Sequence, residues 1–76
     1  MGITFRRATD ILGLPASELA AEFGLQPQTI RQMRLAPSAL NYRSPPEGWE
    51  ERLIRLARRR GNELEELVAL LNRRLR

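Results

Sequence analysis

The sequence predicts an all-α fold, with three short helices in residues 1–43 and one long amphipathic helix over 44–76. Three observations predict it. Apolar residues recur at intervals of three and four along most of the chain, no stretch alternates with the period of a strand, and glycines and prolines fall between the periodic runs. No internal repeat is present.

The first helix is expected over TFRRATDILG, with Thr4 as N-cap, Phe5, Ala8, Ile11 and Leu12 on one face, and Gly13 as the end. The second starts around LPASELAAEFG, where a proline is tolerated in a first turn, Ser17 supplies a cap, and Gly24 suits a left-handed terminator. LQPQTIRQMRL restarts almost at once, with Gln26 before Pro27 at the first helical position, so the two helices must cross steeply. Ala36 to Pro46 holds three prolines, two serines and an asparagine and reads as a loop. The last helix is expected to open at Pro45, with Ser44 as cap and Glu47 three residues on closing a capping box.

Composition narrows the function classes. Seventy-six residues make one domain of marginal lone-chain stability, so help from a partner subunit is a fair expectation. Cysteine and histidine are both missing, which removes disulfides, thiol nucleophiles, structural zinc and the usual general base. There is no glycine-rich phosphate loop, and Asp10 is the sole acid before Glu18, so no enzyme, cofactor or metal site is expected. No run of apolar residues spans a bilayer and no signal peptide is legible, so the cytoplasm is the expected location, with no membrane partner. The basic set is thirteen arginines against nine acids, net +4, with a sequence pI near 11.3. Arginine alone fits a GC-rich genome as well as selection for forked donors that match phosphate and guanine edges. Residues 1–46 and 47–76 each carry +2, so placement must decide.

In the stretch SELAAEFGLQPQTIRQMRL, the small Ala20 leaves room where two helices cross, Gly24 makes the turn, and Leu19, Phe23, Leu25, Ile30 and Met33 face one small core. The outer edge then carries Gln26, Gln28, Thr29, Arg31, Gln32 and Arg34, and no acid occurs from Leu25 to Tyr42. Glutamine pairs two-pronged with adenine and arginine with guanine, threonine meets phosphate or a thymine methyl, and a helix N-terminus attracts phosphate. Such a set suits a duplex groove better than an inert solvated hairpin. Arg6, Arg7 and Arg43 are the expected backbone clamps, from the first helix and the loop after the third.

The residues ELAAEFGLQPQTIRQMRL resemble the helix-turn-helix of the lambda repressor and Cro superfamily (XRE-type regulators). By that resemblance, Ala20, Gly24, Leu25 and Ile30 correspond to the family's crossing residue, turn glycine and core positions. Gln26, Gln28, Thr29, Arg31 and Gln32 correspond to positions facing the major groove and flanking phosphates. The family usually adds two short helices, whereas here a proline-rich loop leads to one long element. PQTIRQMR also resembles the opening of MerR-type and excisionase-like proteins, a second choice because no wing hairpin is legible between Ala36 and Arg43. Either resemblance implies double-stranded DNA as partner; the leading expectation is a small bacterial or phage transcriptional regulator of repressor type, associated with the nucleoid when bound.

In the last segment Ile54, Ala57, Gly61, Leu64, Val68, Leu71 and Leu75 alternate by three and four as a heptad seam, widened by Leu53, Leu56, Leu67 and Leu70. That surplus apolar face implies a second copy, a coiled-coil homodimer. A break at Gly61–Asn62 is the competing expectation, but the seam keeps its phase across it. The run Arg58 to Arg60 reads as a solvated face paired with Glu63, Glu65 and Glu66, and Trp49 as an anchor for the long helix. A different class of function, a protein interaction module such as an antirepressor or adaptor, would use the same amphipathic helices on a larger partner.

Overall fold

The computed structural model describes residues 2–75. Among them are four helices and no strand: α1 (Phe5–Leu12), α2 (Ala16–Phe23), α3 (Pro27–Met33) and α4 (Trp49–Leu75). The fold is all-α, as the periodicity predicts.

Local chemistry sets most boundaries. Thr4 lies extended, and its hydroxyl accepts from the Arg7 N–H at 3.1 Å, satisfying one donor of the first turn of α1. Gly13 at φ 70° and Gly24 at φ 66° end α1 and α2 in the left-handed region, where a side chain costs energy and glycine does not. Pro27 takes the first position of α3, where its missing N–H leaves nothing unsatisfied.

Two predicted caps are not used. The N-cap of α2 is Pro15, whose extended backbone fits the role and whose carbonyl accepts from Glu18 and Leu19, so Ser17 lies inside the first turn. The long helix opens at Trp49 rather than Pro45. Pro46 disfavours helical geometry at Pro45, and Gly48 sits at φ 82°, so no helix passes through this stretch and the Ser44–Glu47 box does not form.

The core is built from Phe5, Leu19, Ala20, Phe23, Ile30 and Met33, joined by Leu53 and Leu56 from α4. It therefore reaches past residue 43 into the first turns of the long helix. Phe5 stands edge-on to Phe23 at 6.0 Å and to Trp49 at 5.4 Å, so Trp49 is the anchor its position suggests. Arg52 lies 5.6 Å from the centre of the Phe23 ring and donates to the Glu22 carbonyl at 3.4 Å, tying α4 to the end of α2. Thr9 is buried, and its hydroxyl donates to the Phe5 carbonyl at 2.9 Å, so no polar atom there is stranded. Leu25 is half-buried against the same core. Ile11, expected on the inner face of α1, is instead 65% exposed, because Phe5 and Thr9 set that face and Ile11 falls beside it.

Leu56 is the last core residue of the long helix, and beyond Glu63 the helix leaves the domain. It is continuous for 27 residues, about 40 Å at 1.5 Å per residue, with no break at Gly61–Asn62. A compact chain of this length has a radius of gyration of about 11 Å; the observed value is 15.2 Å, with a longest dimension of 54 Å. The excess is the projecting half of α4.

Candidate nucleic-acid interface

The outward edge of α3 is open. Ile30 and Met33 lock its inner edge onto α2, while Gln26, Gln28 and Arg31 are exposed and Thr29 and Gln32 are half-buried along the flank. These residues come together because Pro27 starts the helix one residue after Gln26 and the apolar pair at 30 and 33 fixes its rotation.

The loop after α3 doubles back. The Arg43 N–H donates to the Gln32 carbonyl at 3.3 Å, which brings the exposed Arg43 beside the C-terminal end of α3. Arg6 lines a shallow depression with Met33, Leu35 and Tyr42, so it belongs to the same end. Arg7 is exposed on α1, and its side chain makes no ion pair among the described residues.

Arg34 differs from the rest of the predicted set. Its Nη2 donates to Asp10 Oδ1 of α1, and its Nε is buried without a partner. Arg34 thus clips α3 to α1, and its charge is already answered. The sequence signal for this clip is faint: Asp10 is the lone acid before Glu18, yet nothing local links it to a residue twenty-four positions away.

The acids of α2 are directed elsewhere. Glu22 pairs with Arg59 at 2.9 Å, and Glu18 and Glu22 line a polar groove with Arg59, Arg60 and Glu63. Arg60 also pairs with Glu63 at 3.6 Å, as expected for a solvated face. Among the described residues Arg31, Arg43 and Arg6 make no ion pair, while Asp10 is neutralised by Arg34.

The proposed seam residues are all solvent-exposed in the single chain. Ile54 is 49% exposed, Leu64 46%, Val68 52%, Leu71 51% and Leu75 85%, with Ala57 and Gly61 also open. Leu53 and Leu56, in contrast, belong to the core. Among the described residues no group of three or more His, Cys, Asp or Glu side chains gathers to hold a metal ion, and no helix is long and apolar enough to cross a membrane. No family model matches the chain, and neither a curated protein nor a solved structure matches it.

Proposed function

We propose that the chain binds double-stranded DNA as a homodimer, with α3 as the reading helix in the major groove, in the manner of a small transcriptional repressor of bacterial or phage type. One observation carries this reading. The outer edge of α3 presents Gln26, Gln28 and Arg31 to solvent with no acid on the element, while its inner edge is fixed by the core. Glutamine and arginine present the paired donors and acceptors that distinguish adenine and guanine in that groove.

Arg31, Gln28 and Gln32 are the candidate base readers; Gln26, Thr29, Arg43, Arg6 and Arg7 flank them as backbone contacts. Arg34 positions α3 rather than meeting the duplex. The likeness of ELAAEFGLQPQTIRQMRL to the lambda repressor and Cro helix-turn-helix supports the same reading. Two copies joined through α4 would present two reading helices to half-sites about 34 Å apart, or a multiple of it.

The exposed apolar half of α4 also favours a second reading, a module that docks on a larger protein. Selection of bound duplexes from a random pool separates the two. A symmetric enriched motif is expected from a DNA-binding dimer; a pool that stays unenriched at low salt refutes DNA reading.

A further inference from the structure

Two apolar surfaces lack a partner among the described residues, and they lie at opposite ends of α4. The first is a groove of about 330 Å³ between α1 and the start of α4, with Ile11, Leu12, Ile54 and Ala57 among its walls. The second is the projecting half of the helix, where Leu64, Leu67, Val68, Leu70, Leu71 and Leu75 are all about half exposed or more. We propose that the occupant of each is the other, in a second copy whose α4 runs antiparallel. The inference rests on the self-association included in the proposed function and adds its direction and register.

The seam is graded by size. After Ile54 its first half holds the small Ala57 and Gly61; its second half holds Leu64, Val68, Leu71 and Leu75. Helix separation follows the side chains at the contact, between about 8 and 10 Å. In a parallel pair Gly61 meets Gly61 and Ala57 meets Ala57, while leucines meet leucines further on, so the helices must splay. In the antiparallel register that buries the whole seam, Gly61 faces Leu64, Ala57 faces Val68 and Ile54 faces Leu71. The Gly61–Leu64 and Ala57–Val68 layers then each set a small residue against a larger one, so the central layers keep an even separation.

The breadth of the stripe argues the same way. Leu67 and Leu70 repeat, two heptads later, the positions of Leu53 and Leu56, which dock on the domain's core. No core lies beside Leu67 and Leu70 in their own chain. A two-fold axis perpendicular to both helices keeps the two domains on one side of the pair. That places Leu67 and Leu70 of each copy against the other copy's α1 groove, with Leu75 near its mouth. A parallel pair leaves both leucines in water.

Charge agrees. Arg58 makes no ion pair among the described residues, whereas Arg60 is already paired with Glu63. Antiparallel pairing brings Arg58 beside Glu65 of the second copy, twice per dimer; parallel pairing brings the already paired Arg60 there instead. The apolar area available per copy is on the order of 800 Å², the size of a stable interface. The two domains, attached around Leu53, would stand about 30 Å apart along the helix axis at 1.5 Å per residue, close to one turn of duplex.

The chain has no cysteine of its own, so spin labels can be placed singly by Asn62→Cys and Asn72→Cys in the full chain. Asn62 lies at the proposed centre and its labels are expected within about 20 Å of each other; the Asn72 labels are expected about 30 Å apart along the axis at 1.5 Å per residue. Close labels at both positions overturn the antiparallel register while leaving a dimer. No dipolar coupling at either, together with a monomer mass in sedimentation, overturns the second copy altogether. Ile11→Glu changes an exposed residue of α1 outside the seam and is expected to raise the dimer dissociation constant about tenfold; an unchanged constant removes the groove from the interface. None of these readouts involves DNA, so failure of DNA binding would be seen separately.

Discussion

Replacing Asp10 by Asn tests the electrostatic account of the α3 face, because Asp10 holds Arg34, the arginine of the proposed reading face that is already ion-paired. In the wild-type chain Arg6, Arg7 and Arg43 are the proposed backbone contacts, so a dimer would set about six charges against phosphates. At a slope of about −0.9 per phosphate neutralised, log K against log salt should fall with a slope near −5. Freeing Arg34 in both subunits raises the count to about eight and the slope to about −7. Over a fourfold change in salt, affinity should drop by roughly 10³ for the wild type and roughly 10⁴ for Asp10→Asn. The cost to the fold is small, because a partly exposed ion pair contributes about 0.2–1 kcal/mol. Anisotropy titrations on a random-sequence duplex at several salt concentrations, with a melting curve as control, measure both quantities. An intact melting curve with an unchanged slope would show that Asp10 and Arg34 lie away from the bound duplex, and the α3 end would then be misassigned.

Arg31→Ala is expected to cost about 1–3 kcal/mol on the preferred duplex and to relax base preference at one position of the site. An equal loss on every sequence, read from the same selection experiment, would make Arg31 a phosphate clamp. Ile30→Ala removes a side chain with no exposed surface at the α2–α3 crossing, and denaturant titration should show a loss of about 2–5 kcal/mol, enough to unfold much of so small a domain. A loss below about 1 kcal/mol would mean that α3 is not held by this core.

What was legible in the sequence was whatever a few neighbouring residues determine. Gly13 and Gly24 end helices because the backbone there is left-handed, and Thr4 caps because its hydroxyl reaches the Arg7 N–H within the same turn. Ile30 and Met33 are buried because the helical period places both on one edge. Favourable capping residues at Ser17 and at Ser44 with Glu47 point to the wrong helix starts, because Pro15, Pro46 and Gly48 decide the backbone there. The clips from Arg34 to Asp10 and from Arg59 to Glu22 span twenty-four and thirty-seven residues, so only the packed fold reveals them. Spacing alone places Ile11 inward, yet α1 is only eight residues long and Phe5 and Thr9 already fill its inner edge. The exposed Ile11 is the same feature that leaves the α1 groove unpartnered.

Gly61 is where helix stability and helix pairing pull in opposite directions. It lies inside an unbroken helix, is exposed, and a Cβ placed on it would meet nothing within 4 Å in the single chain. By intrinsic propensity alone, Gly61→Ala should stabilise α4 by about 0.8–1 kcal/mol. For an isolated chain this glycine is simply a cost. If Gly61 faces Leu64 of a second copy, however, the added methyl group enters the narrowest layer of the pair and pushes the helices apart. The variant should then show more helix at low concentration, by circular dichroism, and a raised dimer dissociation constant by sedimentation. Should helix content and dimer affinity rise together, Gly61 would lie outside the contact and the seam would need another register. That outcome would still leave Val68 and Leu71 exposed on a helix that projects beyond its own domain, so a proposed second copy would have to cover them in another register.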